Sequence, residues 1–219
     1  MKAIIFDLDG TLVDSAPDIH AAVNRMLETE GQPTLDLPTV TSFVGNGLPK
    51  LIERVMTRQG IDMAAFDRIT ADVLEIYETT PATYARPYPG MKQALQDLTG
   101  AGYRMGVCTN KPYKPAINLL HDMGLDGVFD VVIGGDSTPA RKPDALPLQE
   151  TIKALQAEEV LYVGDSEIDA STAQNARVGF ALFTEGYRKR AVASIPHAYA
   201  FSDFGQLSAI VSTHFLSKT

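Results

Sequence analysis

The stretch Ala3-Ile4-Ile5-Phe6-Asp7-Leu8-Asp9-Gly10-Thr11 decides how the rest of the chain reads. Its apolar start predicts a buried strand, which ends in two carboxylates two positions apart, then a glycine turn and a hydroxyl. Side chains at i and i+2 of an extended segment leave on the same face, so Asp7 and Asp9 can converge on one point. Converging carboxylates repel unless a proton or a cation lies between them. Mg²⁺ suits that arrangement, because it takes few protein oxygens and completes its octahedron with water and substrate phosphate. Alone, Asp-Leu-Asp-Gly also has a plainer reading, as a surface turn.

Further apolar runs follow at Tyr103–Cys108, Phe129–Ile133, Val160–Val163 and Val178–Phe183. Near-continuous apolar runs are the mark of strands covered on both faces. Helical patterns separate them over Met91–Ala101, Lys114–Met123, Ala145–Ala157 and Asp169–Ala176. The alternation predicts an α/β fold with a doubly wound parallel sheet, Rossmann-like in plan. Residues 15–86 break the rhythm, offering helical periodicity in Asp18–Thr29, Leu48–Gln59 and Met63–Thr79 but no strand. They read as a helical cap inserted into a core made of residues 1–14 and 87–219. Ser15 with Asp18 reads as a capping box for the first cap helix, and Arg86-Pro87-Tyr88-Pro89-Gly90 as the extended return. Toward the end, a short strand near Tyr199 and a helix from Phe204 are expected.

The 219 residues, 45% hydrophobic, hold a core as one domain or as one with an insert. No run approaches the roughly 18 apolar residues of a membrane helix, and the start lacks the layout of a signal peptide. Cys108, the single cysteine, excludes an intrachain disulfide. Together these predict a cytoplasmic protein without a membrane partner. The net charge of −8 argues against a nucleic-acid surface. It also repels a phosphorylated substrate, so a metal ion, a lysine or helix N-termini must reverse the sign locally.

Ligands of open parallel sheets gather at the carboxyl ends of strands. At those ends stand Asp7 and Asp9, then Thr109-Asn110-Lys111-Pro112, then Gly134-Gly135-Asp136 with Arg141-Lys142-Pro143, then Gly164-Asp165-Ser166 with Asp169 a turn later. Each has a plainer reading. Thr109-Asn110 can cap a helix, Lys142 can be a solvated surface lysine, and Asp165 and Asp169 can be acids favoured by a helix dipole. Asp14 and Asp136 read as supporting acids. The four histidines lack metal spacing and read as surface residues, and Tyr77, Tyr84 and Tyr88 as packing or hinge residues.

In order and spacing, Asp7-Leu8-Asp9-Gly10-Thr11, Thr109-Asn110, Lys142-Pro143 and Gly164-Asp165-Ser166-Glu167-Ile168-Asp169 resemble the haloacid dehalogenase-type phosphohydrolase superfamily over essentially the whole chain. Thr11-Leu12-Val13-Asp14-Ser15, Val44-Gly45-Asn46-Gly47 and Arg86-Pro87-Tyr88-Pro89-Gly90-Met91 are most similar to its phosphoglycolate phosphatases. The resemblance implies a Mg²⁺-dependent phosphomonoester hydrolase acting on a small phosphorylated metabolite, as a monomer or a homodimer. It implies Asp7 as nucleophile, Asp9 as acid–base with its carbonyl toward the metal, and Asp165 and Asp169 as metal ligands or their support. Thr109, Asn110 and Lys142 would bind the phosphoryl group. In the cap, Gly45-Asn46-Gly47 precedes a helix on which Lys50 and Arg54 share a face; these are expected to meet the carboxylate of 2-phosphoglycolate. A phosphomutase of the same fold and a receiver-like phospho-accepting domain remain as rival readings, while Asp9 counts against carbon–halogen or carbon–phosphorus cleavage.

Overall fold

The computed structural model describes residues 1–216. Strand β1 (Lys2–Phe6) lies at the centre of a six-stranded sheet. The other strands are β4 (Arg104–Cys108), β5 (Val131–Ile133), β6 (Glu159–Gly164), β7 (Gly179–Phe183) and β8 (Tyr199–Phe201), in the order β5-β4-β1-β6-β7-β8. Every pairing in it is parallel, with Ile5 opposite Gly106 on one side and Tyr162 on the other.

Strand side chains alternate between the two sheet faces, and so do their partners. Ile4, Phe6, Val107, Leu161 and Phe183 pack with helices α5 (Met91–Gly100), α6 (Tyr113–Asp122) and α9 (Leu207–Leu216). Ala3, Ile5, Tyr162 and Leu182 pack with α7 (Leu146–Ala154) and α8 (Glu167–Ala176) on the opposite face. That is the doubly wound arrangement, in which the carboxyl ends of the strands lie together at one edge of the sheet. The expected helix from Phe204 begins as a short 3-10 turn, Phe204–Gln206, before α9. His214 is buried rather than on the surface, its Nε2 lying 3.2 Å from Val160 O.

Between β2 (Val13–Asp14) and β3 (Arg86–Pro87), which pair antiparallel, the chain forms four helices. These are α1 (Ala16–Thr29), α2 (Leu37–Phe43), α3 (Leu48–Gln59) and α4 (Phe66–Thr79). They share an apolar cluster of their own that includes Ile19, Val23, Val40, Ile52, Val55 and Val73. Helix α2 has no counterpart in the sequence reading because it buries only Val40, which leaves no apolar stripe. Its start was legible, with Asp36 capping Thr39 N and a proline in the first turn.

The expected Ser15–Asp18 capping box does not form. Ser15 makes no capping hydrogen bond; its hydroxyl donates to Asp9. The Asp18 carboxylate accepts from the backbone N–H groups of Thr83, Tyr84 and Ala85. Both side chains are drawn off to other partners, and those of Asp18 tie the two ends of the insert together.

Candidate active site

Asp7 leaves the end of β1 with its N–H still bonded to Val163 O at 2.9 Å, so the sheet itself fixes its backbone. Gly10 then turns the chain at φ +87°, a conformation that L side chains rarely adopt. A Cβ on Gly10 would also meet Asp165 Oδ2 at 2.7 Å. Asp165 follows β6, the neighbour of β1, so the two strand ends bring their carboxylates side by side. Asp169 lies in the first turn of α8 and completes a capping box with Ser166. Oxygens of Asp7, Asp165 and Asp169 lie within 4.8 Å of one another, and all three residues are buried.

Lys142 enters this group from the loop after β5 and is only 3% exposed. Its Nζ lies 2.8 Å from Asp7 Oδ1 and 2.7 Å from Asp169 Oδ1. The Asp7 contact is an ion pair outside hydrogen-bond directions, and Asp7 Oδ1 accepts no hydrogen bond among the described residues. Burial pushes the Asp7 carboxyl up to about 7, against the pull of Lys142. Burial and its two acidic neighbours hold Asp165 well above the carboxylate range. For Asp169 burial acts the same way, but the charge and hydrogen bond of Lys142, with those of Ser166 and Tyr162, outweigh it and hold the group low. Burial likewise opposes the charge of Lys142, and Asp169 and Asp7 more than restore it.

Three carboxylates face one ammonium, which leaves two negative charges uncompensated when all are ionised. Hard oxygen donors, that charge deficit and an unbonded Asp7 oxygen fit a divalent cation such as Mg²⁺.

Asp9 stands apart from the triad. Its carboxylate accepts from Ser15 Oγ and lies 3.2 and 3.5 Å from Lys111 Nζ. It borders a cavity of about 40 Å³ whose walls include Asp7, Thr109 and Lys111 from the core and Gly45, Leu51 and Tyr77 from the insert. Asn110 joins the two sides: its Nδ2 donates to Gly45 O and Lys142 O, and its Oδ1 accepts from Lys142 N, each at 3.0 Å.

The sequence pattern of the haloacid dehalogenase-like hydrolases matches residues 4–183, through every element that supplies this site. The chain belongs to that family. A phosphoglycolate phosphatase of Cereibacter sphaeroides is 49% identical to this hydrolase over 209 residues, covering 94% of this chain and 96% of that protein. Another, of Rhodobacter capsulatus, is 47% identical over 211 residues, covering 95% and 96%. A crystal structure described as a predicted phosphoglycolate phosphatase, from Haemophilus somnus 129pt, superposes on the hydrolase with a TM-score of 0.89. It is 30% identical and covers 96% of this chain and 97% of that one.

The hydrolase brings Asp7, Asp165, Asp169 and Lys142 together, with Asp9, Thr109 and Asn110 beside them. Lys50 and Arg54, expected to meet substrate, do not line the cavity. The Lys50 ammonium is paired at 2.7 Å with Glu53 on the surface. Arg54 donates to Phe43 O and Asn46 Oδ1, bracing the loop ahead of α3. The buried stripe of α3 is Leu48, Leu51, Ile52, Val55 and Met56, and both cations fall off it.

Several supporting contacts went unread in the sequence. Thr11 Oγ1 donates to Asp165 Oδ1 at 3.0 Å, and Tyr187 N donates to Asp165 Oδ2. The Tyr187 hydroxyl donates to Asp14, which gives that acid its supporting role. A Cβ on Gly186 would meet Gly10 O at 2.2 Å and Asp165 Cβ at 2.3 Å, so only glycine lets this loop close on the metal-ligand candidate. Tyr162 Oη lies 2.8 Å from Asp169 Oδ1 and 2.9 Å from Lys142 Nζ. Tyr162→Phe therefore strips a buried partner from both ions. Thermal denaturation should show a loss of about 1–3 kcal/mol, and steady-state kinetics a fall in kcat of less than about tenfold.

Proposed function

We propose that this hydrolase cleaves a small anionic phosphomonoester, 2-phosphoglycolate, by way of an aspartyl phosphate on Asp7, with Mg²⁺ as cofactor. The observation that carries the reaction is the buried Asp7 oxygen, unbonded yet 2.8 Å from the Lys142 ammonium, with Asp9 two residues on. The substrate is supported by the names of the relatives and by the small cavity that Asp9 borders.

In the first step Asp7 Oδ attacks phosphorus, the ester P–O bond breaks, and the leaving alkoxide takes a proton from Asp9. In the second, water attacks phosphorus, Asp9 recovers the proton, and the acyl phosphate P–O bond breaks to regenerate Asp7 and release inorganic phosphate. Lys142 balances charge that builds on the phosphoryl oxygens, while Thr109 and the Asn110 backbone hydrogen-bond them. Asp7, Asp165 and Asp169 would hold the Mg²⁺, with the Asp9 carbonyl beside them; bound there, the ion supplies Lewis-acid neutralisation of phosphoryl charge.

In this reading residues 1–14 and 87–219 are the catalytic core and residues 15–86 the cap. The separate apolar cluster of α1–α4 and the β2–β3 ribbon at its base support that division. No helix among the described residues is long and apolar enough to cross a membrane. A single buried thiol, Cys108, is in keeping with a cytoplasmic enzyme, monomeric or homodimeric.

Phosphate release from a panel of small monoesters tests the assignment. Turnover should be greatest on 2-phosphoglycolate, fall at least about 10²-fold in excess chelator and return when Mg²⁺ is restored. Full turnover in chelator would remove the metal from the account, and indifference to 2-phosphoglycolate would remove the substrate.

A further inference from the structure

We propose that Lys111 and Tyr77 form the subsite for the non-phosphate end of the substrate, and that what they take there is a carboxylate. The proposal rests on the phosphatase reading above and adds the chemistry of its specificity.

An ester that carries a carboxylate brings a second anion into a site already rich in acids. That anion needs a cation other than Lys142, which is sealed behind Asp7 and Asp169. Lys111 is the one basic residue among those that line the cavity. Its position is fixed from both sides of the seam. The ammonium lies 3.2 Å from Asp9 on the core and 5.1 Å above the ring of Tyr77 on α4. Side-chain exposure is only 9% for Lys111, so water screens it little.

An ammonium carries three N–H donors, and the acceptors of Lys111 Nζ among the described residues are the two oxygens of Asp9. At least one donor is therefore left for a ligand. Tyr77 supplies a second. Its hydroxyl is buried without a hydrogen-bond partner among the described residues, although Tyr77 lines the cavity. A buried hydroxyl without a partner is a costly arrangement, and an acceptor arriving with the substrate would relieve it.

The placement also agrees with the reaction. Asp9 must meet the leaving oxygen to protonate it, so whatever is bonded to that oxygen continues past Asp9. Ser15 also bonds Asp9 but does not line the cavity, whereas Lys111, in contact with Asp9, and Tyr77, in contact with Lys111, both do. Thr109, Asn110 and Lys142 keep the phosphoryl end, and the two anions are bound by separate groups.

The test compares 2-phosphoglycolate with ethyl phosphate, which lacks the carboxylate, as the ratio of their kcat/KM values in wild type, Lys111→Met, Lys111→Arg and Tyr77→Phe. The ratio counts only folded, active molecules, so partial misfolding does not disturb it. A charge-assisted hydrogen bond is worth about 1.5–3 kcal/mol, so Lys111→Met should lower the ratio by roughly 10–100-fold. Tyr77→Phe should lower it about 3–10-fold, and Lys111→Arg should recover part of the preference. If Lys111→Met slows both esters equally, the lysine acts only through Asp9 and the subsite is wrong. An unchanged ratio in Tyr77→Phe removes the hydroxyl. A wild type that hydrolyses both esters without preference defeats the subsite but leaves a phosphatase, whereas a wild type inert toward both defeats the function on which it rests.

Discussion

Asp7→Asn is expected to abolish turnover, lowering kcat by at least about 10⁴-fold with Mg²⁺ present, because the amide cannot attack phosphorus. The fold should survive. Asn has the shape of Asp, and the Asp7 carboxylate is a charge that its own site disfavours, held up to about 7 chiefly by burial. Removing a charge whose ionised form the fold disfavours does not weaken the fold at neutral pH. Thermal unfolding should therefore give a midpoint equal to or above that of the wild type. A variant that turns over at a tenth of the normal rate would rule out Asp7 as nucleophile.

Lys142→Met should damage both stability and activity. The substitution keeps the length of the side chain but leaves Asp7, Asp165 and Asp169 buried with no cation of the chain among them. Breaking a buried ion pair by removing one partner costs about 3–5 kcal/mol. For a chain of this size that lowers the melting midpoint by roughly 6–20 °C. Turnover should fall at least about 10³-fold, since an ammonium aimed at developing phosphoryl charge is lost. Excess Mg²⁺ should recover part of the stability and little of the turnover. A normal melting curve would mean that the lysine is not held between the acids as described.

The core of the site was legible because strand ends are legible. An apolar run that stops at a carboxylate, a Thr-Asn pair or a Gly-Asp pair marks both the sheet and its functional edge, and the parallel order then follows from alternation with helices. The insert was legible only as helices. Spacing shows that Lys50 and Arg54 share a face but not what that face meets, and Lys50 meets Glu53 while Arg54 braces the loop ahead of α3. Ser15 and Asp18 had each other as partners on paper, but Ser15 turned back to Asp9 and Asp18 to the backbone of Ala85, far along the chain. The Thr11 hydroxyl was visible in the motif but its partner was not, and Gly186 and Tyr187 gave no signal, since contacts with Asp165 depend on chain crossings that no short window contains. Lys111 was visible at a strand end, but a lysine's reach is set by its neighbours, and one of those, Tyr77, came from the insert.

The central place of β1 has a consequence for biosynthesis. Lys2–Phe6 leaves the ribosome long before Arg104–Cys108 and Glu159–Gly164, between which it must lie. A nascent chain thus carries an apolar ribbon with both edges bare until most of the polypeptide has been translated, while the helices of the insert can already consolidate. Docking of that ribbon is a late, long-range closure, and closures of that kind set slow folding rates and leave sticky intermediates. Mutations that weaken the sheet should therefore show first as poor yield on expression, before any defect in the purified enzyme.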